Sequence, residues 1–358
     1  MNDMPHAALL PTGLYDLLPP EAELEAEVTA RLMAVLRAHG YERVKPPLVE
    51  FEDTLLSGAG AAMANDTFRT MDPVSHRMVG VRADMTPQVA RIAATRLAHY
   101  ERPLRLSYAG QVLRVKGSEV RPERQFGQIG GELIGAAGPA ADVEVIAVAG
   151  EALAAVGVPN LSVDITLPTL VPAIAEAFGI TGERAGLLRA ALDHKDVTAV
   201  AALPGEAGTL LSQLVSASGA AAPARAALTR LKLPARAQAE RERLGAVLDG
   251  IAATMPSLKV TVDPVENRGF EYHTGISFAF FARPGDERGP LGELGRGGRY
   301  DAGDRASPES ATGFTLYTDT ILSTLPALPG AAVFCCRLVS IGLARQSCAG
   351  KGGLRSRR

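Results

Sequence analysis

The chain has 358 residues, of which 47% are hydrophobic and 21% charged, with a net charge of −2. That length supports a sizeable buried core, and the balanced charge offers no basic surface for nucleic acid. The apolar runs are Ala-rich and broken by charge or Gly, and the N-terminus has no basic segment followed by an apolar stretch, so neither a membrane span nor a secretory signal is expected and the expected location is the cytoplasm.

The cysteines, Cys335, Cys336 and Cys348, all fall near the end of the chain. This pattern excludes a disulfide framework and any Cys/His metal spacing, and no cofactor is expected.

In chain order, the Pro-punctuated Leu14-Tyr-Asp-Leu-Leu-Pro-Pro20 leads into a helix from Glu21 to His39. Leu24, Val28, Leu32, Val35 and Leu36 recur at helical spacing, with Glu21, Glu23 and Glu25 near the start and Gly40 as a stop. Tyr41 to Phe51 reads as a strand interrupted by Pro46-Pro47, fitting an edge or a kink. Met78 to Arg82 reads as a short strand. Thr86 then predicts a helix N-cap with Pro87 at N1, and the helix runs to about His99. Leu104 to Val115 and Gln125 to Ile134 read as strands of an antiparallel hairpin around a polar loop.

Pro139 to Val156 predicts a long helix, and Leu161 to Ile165 a strand. From about Thr181 to Ala253 the composition turns Ala-rich and helical, predicting an insertion over 181–253. Strand character returns at Leu258 to Val262 and Ile276 to Phe281, and Gly313 to Leu322 reads as strand then helix. Strands and helices without regular alternation favour an α+β fold with a mainly antiparallel sheet. The core is therefore expected from 1–180 and 254–329. The stretch 330–358 resembles nothing upstream and reads as a disordered terminus, with a frameshifted gene end as the other explanation for its sudden cysteines.

Four segments carry candidate chemistry. In Val81-Arg-Ala-Asp-Met-Thr86, Asp84 and Thr86 sit where a strand meets a helix. They suit an ammonium group, although the local pattern by itself favours a simple helix cap. In the hairpin, Gln128 and Glu132 share one strand face, because their spacing is even. A carboxylate and an amide there can bind an ammonium or an imidazole N–H, and Arg114 on the neighbouring strand suits a carboxylate or phosphate. A solvated face with ion pairs would use the same residues. Arg268-Gly-Phe-Glu-Tyr-His-Thr-Gly275 supplies Arg268, Tyr272 and His273; His273 has no partners for a metal site. Gly295-Arg-Gly-Gly-Arg-Tyr-Asp301 reads as turns that need positive φ and let backbone approach a ligand.

Together these segments resemble the catalytic core of histidyl-tRNA synthetase, a class II synthetase, over roughly residues 10 to 326. The Pro46-Pro47 stretch resembles motif 1, the dimer element. Leu113-Arg-Val-Lys116 through Glu132 resembles motif 2. Arg268-Gly-Phe-Glu-Tyr-His and Gly297-Gly-Arg-Tyr-Asp301 resemble the two histidine-specific signatures. The resemblance implies a histidine-binding pocket from Asp84, Thr86, Arg114, Gln128, Glu132, Arg268, Tyr272 and His273, with His273 in place of a second tyrosine.

The departures fall on the ATP side. Motif 2 of the family carries Phe-Arg-x-Glu, whose Glu reads the adenine amino group; here Lys116 takes that place and accepts no hydrogen bond. Motif 3 ends in Glu-Arg; here Gly313-Phe-Thr-Leu-Tyr-Thr-Asp-Thr320 puts Thr320 in the Arg place. Loss of one such transition-state clamp costs about 10³-fold. Too few residues follow Pro326 for the family's anticodon-binding domain. This combination resembles the regulatory subunit of ATP phosphoribosyltransferase. That resemblance implies a non-catalytic homodimer within a hetero-oligomer, partnered by the short catalytic subunit of the first step of histidine biosynthesis, activating it and transmitting feedback from L-histidine. The alternative is a histidyl-tRNA synthetase or another histidine-activating class II ligase.

Overall fold

Helix α1 (Glu21–Ala38) starts without a side-chain cap, and Glu21 and Glu23 offset the exposed N–H groups of its first turn. Val28, Leu32 and Leu36 recur every four residues and are buried, as a helix laid on a sheet requires. The protein is represented by a computed structural model that describes residues 9–117, 122–201, 206–266, 272–283, 292–303 and 308–325. Arg268 and the 330–358 tail lie outside the described residues.

Next come β1 (Glu42–Arg43), β2 (Val49–Phe51), a short helix α2 (Glu52–Leu55), a 3-10 helix (Gly58–Met63), β3 (Arg69–Met71) and β4 (Met78–Val81). α3 (Thr86–Thr95), β5 (Leu104–Leu113), β6 (Gln125–Ile134), α4 (Pro139–Ala155), β7 (Ser162–Thr166) and α5 (Leu170–Ala177) follow. Then α6 (Glu183–Asp193), α7 (Val197–Ala201), α8 (Glu206–Ser216), β8 (Gly219–Ala220), α9 (Ala221–Arg230) and α10 (Ala235–Thr254) lead to β9 (Lys259–Asp263). The described chain ends with β10 (His273–Ala282), β11 (Gly292–Ala302), β12 (Glu309–Tyr317) and α11 (Thr318–Thr324).

Among the described residues, nine strands form one sheet in the order β1-β5-β6-β12-β11-β10-β7-β9-β8. Its pairs are antiparallel except β1 with β5 and β7 with β9. The fold is α+β, with a mainly antiparallel sheet between helices. Side-chain alternation divides β6 between two cores. Ile129 and Leu133 join α1 and the apolar side of α4, including Val145, Ile146, Ala149 and Leu153. Phe126 and Ile134 face the other way, toward Met85, Val89 and Ala93 around α3 and toward Tyr108, Tyr300 and Tyr317. That second face carries the polar pocket.

Three sequence expectations are corrected. The Tyr41 to Phe51 strand is two strands in different sheets: β1 borders the large one, and β2 pairs with β4 in a small sheet ordered β2-β4-β3. Pro46 and Pro47 have no N–H for a ladder. Their carbonyls instead accept from Arg82 Nη1 at 3.2 Å and Gln88 Nε2 at 2.8 Å. Thr86 is not the N-cap of α3; Met85 is, and the helix stops at Thr95. The Thr86 hydroxyl turns into the sheet, and its N–H is taken by Asp84 Oδ1 at 2.8 Å. Finally, Gly295 to Asp301 is strand interior, not a run of turns, and Gly295, Gly297 and Gly298 all avoid positive φ. At Gly298 a Cβ would stand 2.3 Å from His273 Cδ2, so close packing is what demands glycine there.

Candidate functional site

The pocket lies over β6, β12, β11 and β10 and encloses about 350 Å3 including its mouth. Asp84, Thr86, Glu132, Tyr272 and His273 line it, so three separate stretches of sequence converge on one cavity. Gln128 supports it from beneath. Its Nε2 donates to Asp84 Oδ2 at 3.2 Å, and its Oε1 accepts from Met85 N at 3.0 Å. Asp84 is thus held by one amide and one backbone N–H.

Glu132 forms the floor and is 1% exposed. Three hydroxyls donate to it: Thr86 to Oε1 at 3.0 Å, Tyr108 to Oε1 at 3.3 Å and Tyr300 to Oε2 at 2.9 Å. Burial dominates these bonds and, with the nearby Asp84, pushes the Glu132 carboxyl up to about 8. Burial and Glu132 also hold the Tyr108 and Tyr300 phenols well above their usual range, so both stay neutral donors. Opposite Glu132 sits Gly313, its cross-strand partner.

His273 is 6% exposed and packs against Tyr272, ring centroids 4.1 Å apart. Tyr272 also meets Tyr300 edge-on at 6.3 Å. Arg296 lines the wall, and its guanidinium makes a two-point contact with Glu293 at 2.7 and 2.8 Å.

Arg114 does not line this cavity. It follows β5, donates from Nε to Ala83 O at 3.4 Å, and covers the Phe126 ring with its guanidinium 5.1 Å from the centroid. Tyr317 meets Phe126 edge-on at 5.8 Å, and Phe126 is 3% exposed. The aromatic surface beside the motif 2 stretch is therefore covered by the chain's own side chains. Lys116 is exposed. The Thr320 methyl packs on Gly292, where a Cβ would lie 3.1 Å away.

Arg296, Tyr300, Tyr108 and Thr315 were absent from the sequence-derived set. The spacing by two of Arg296, Gly298 and Tyr300 was the available signal for β11. Nothing comparable marked Tyr108, which reaches Glu132 through cross-strand register.

The geometry agrees with the comparisons to known proteins. The family model for histidyl-tRNA synthetase matches residues 13–321. An ATP phosphoribosyltransferase regulatory subunit from Paramagnetospirillum magneticum is 59% identical over 327 residues, covering 91% of this chain and 84% of the relative. A crystal structure from Bacillus halodurans, described as an ATP phosphoribosyltransferase regulatory subunit/histidyl-tRNA synthetase, superposes with a TM-score of 0.77 at 25% identity, over 90% of this chain and 84% of that one. A chain of the Thermotoga maritima ATP phosphoribosyl transferase complex shares the fold at 16% identity and a TM-score of 0.64, over 82% of this chain and 97% of that one. The chain belongs to the ATP phosphoribosyltransferase regulatory subunit family, on a histidyl-tRNA synthetase scaffold.

Proposed function

We infer that this chain, as a non-catalytic cytoplasmic subunit, sustains the activity of a separate short ATP phosphoribosyltransferase catalytic subunit at the first step of L-histidine biosynthesis, and that its pocket senses L-histidine. One observation carries this reading: a small polar pocket stands beside a covered Phe126, with Lys116 and Thr320 in place of the residues that grip ATP. Asp84, Gln128 and Thr86 suit the ligand ammonium. Glu132, Tyr272 and His273 suit its side chain. Arg268 would meet the carboxylate. Coupling to the catalytic subunit then follows from linkage: a ligand preferring one arrangement of the complex shifts its activity, typically by about 1–3 kcal/mol.

A homodimer would cover the small sheet. Leu48, Val49, Met71, Val74 and Met78 are all more than two-fifths exposed on and beside it. Such a grouping of large apolar side chains marks an interaction surface.

The test pairs two assays. Calorimetry should detect L-histidine binding that Glu132→Ala abolishes, and unchanged affinity in the variant would move the sensor elsewhere. ATP–pyrophosphate exchange should stay at background with and without histidine. Histidine-dependent exchange would restore the ligase alternative.

A further inference from the structure

Glu132 and Asp84 line one small cavity, and neither forms an ion pair with a lysine, arginine or histidine among the described residues. A buried carboxylate without a cation is costly, so it either keeps a proton or acquires a positive partner. The surroundings accommodate both states. When Glu132 is charged, Thr86, Tyr108 and Tyr300 all donate to it. When it is neutral, its own O–H needs an acceptor, and the Tyr108 hydroxyl can turn away to serve as one. Thr315 Oγ1 lies 2.7 Å and the Phe314 carbonyl 3.5 Å from that hydroxyl, ready to take its hydrogen.

We propose that Glu132 stores a proton before ligand binds and that a small nitrogenous cation replaces it on binding. The step breaks the Glu132 O–H bond. The proton passes to solvent when the arriving nitrogen is already protonated, and to that nitrogen when it is a neutral imidazole. The carboxylate then pairs with the ligand cation, and the three hydroxyls return to donating. This deepens the pocket reading above and rests on it for the choice of L-histidine as first ligand.

Among the described residues, none of the other ionisable groups around the cavity forms an ion pair with either carboxylate. Asp84 adds negative charge from the turn before α3. Tyr108 on β5 and Tyr300 on β11 stay neutral, and Tyr272 and Tyr317 add no cation. Arg296 is committed to Glu293. His273, on β10, stacks on Tyr272.

Infrared difference spectra of the full chain, wild type minus E132Q, test the exchange. The unliganded protein near neutral pH should show a protonated-carboxyl band, and saturating L-histidine, with binding followed by calorimetry, should replace it with a carboxylate band. In wild type alone the band should fade as pH rises through about 8, which keeps the test independent of how E132Q folds. Absence of the band in unliganded protein, or its persistence with L-histidine bound, overturns the exchange and leaves the histidine pocket standing. If L-histidine fails to bind but histidinol or imidazole binds and removes the band, the exchange stands and the histidine reading falls. If none of the three binds, both fall.

Discussion

Gly313 of β12 faces Glu132 of β6 so closely that a methyl group on its Cα would stand 1.7 Å from Glu132 Oε2. The glycine therefore makes room for the pocket floor. Gly313→Ala should destabilise the protein by about 1–3 kcal/mol through overpacking and abolish ligand binding. Denaturant unfolding can check this as a double-mutant cycle: the same change made in a Glu132→Ala background should cost markedly less. Equal costs in both backgrounds would show that the clash lies elsewhere.

Glu132 also sets a pH dependence. Its carboxyl rises from an ordinary 4.5 to about 8 in the folded chain because it is buried. Between those values the folded state holds a proton that the unfolded state has released. Its contribution to stability is thus complete below about 4.5 and is lost as pH climbs toward 8, by about 3–5 kcal/mol over the whole span. Urea midpoints of E132Q should lack this fall relative to wild type. Parallel pH profiles for the two proteins would contradict the burial argument.

Arg299 and Asp142 form an ion pair of 2.7 Å behind the sheet, with side chains 3% and 1% exposed. Arg299 also donates to the Ala136 and Gly138 carbonyls at 2.9 Å, fixing β11 to the start of α4. Arg299→Met should cost about 3–5 kcal/mol, because it strands a buried carboxylate. Adding Asp142→Leu should recover part of that loss. A thermal melt of R299M within a degree or two of wild type would mean that water reaches the site.

Restoring the two family charges should not create a ligase. The Lys116→Glu/Thr320→Arg double variant should leave ATP–pyrophosphate exchange at background, since Phe126 stays covered by Arg114 and Tyr317. Histidine-dependent exchange in that variant would show that the two substitutions alone had silenced the site.

The sequence made some elements legible and hid others for physical reasons. α1 follows from periodicity, because it buries one regular face, whereas α4 is buried on nearly all sides and β6 on both faces, so these read from a mainly apolar run and from two strands around a polar loop. The β11 strand was hidden: Gly295, Gly297 and Gly298 carry no side chains to alternate, so close packing looked like turn chemistry. The split at Pro46-Pro47 depended on distant donors, Arg82 and Gln88, that no local pattern announces. Asp84, Gln128, Glu132 and His273 were each ambiguous alone, and the resemblance joined them before the fold did. Tyr108 became visible only once β5 and β6 were in register, placing it opposite Gly130 and beside Glu132.

The most direct test of the account is phosphoribosyl-ATP synthesis by the short catalytic subunit from the same organism, assayed with and without this chain and with and without L-histidine. The chain should raise the rate, and L-histidine should reverse the gain. A catalytic subunit indifferent to the chain would contradict it.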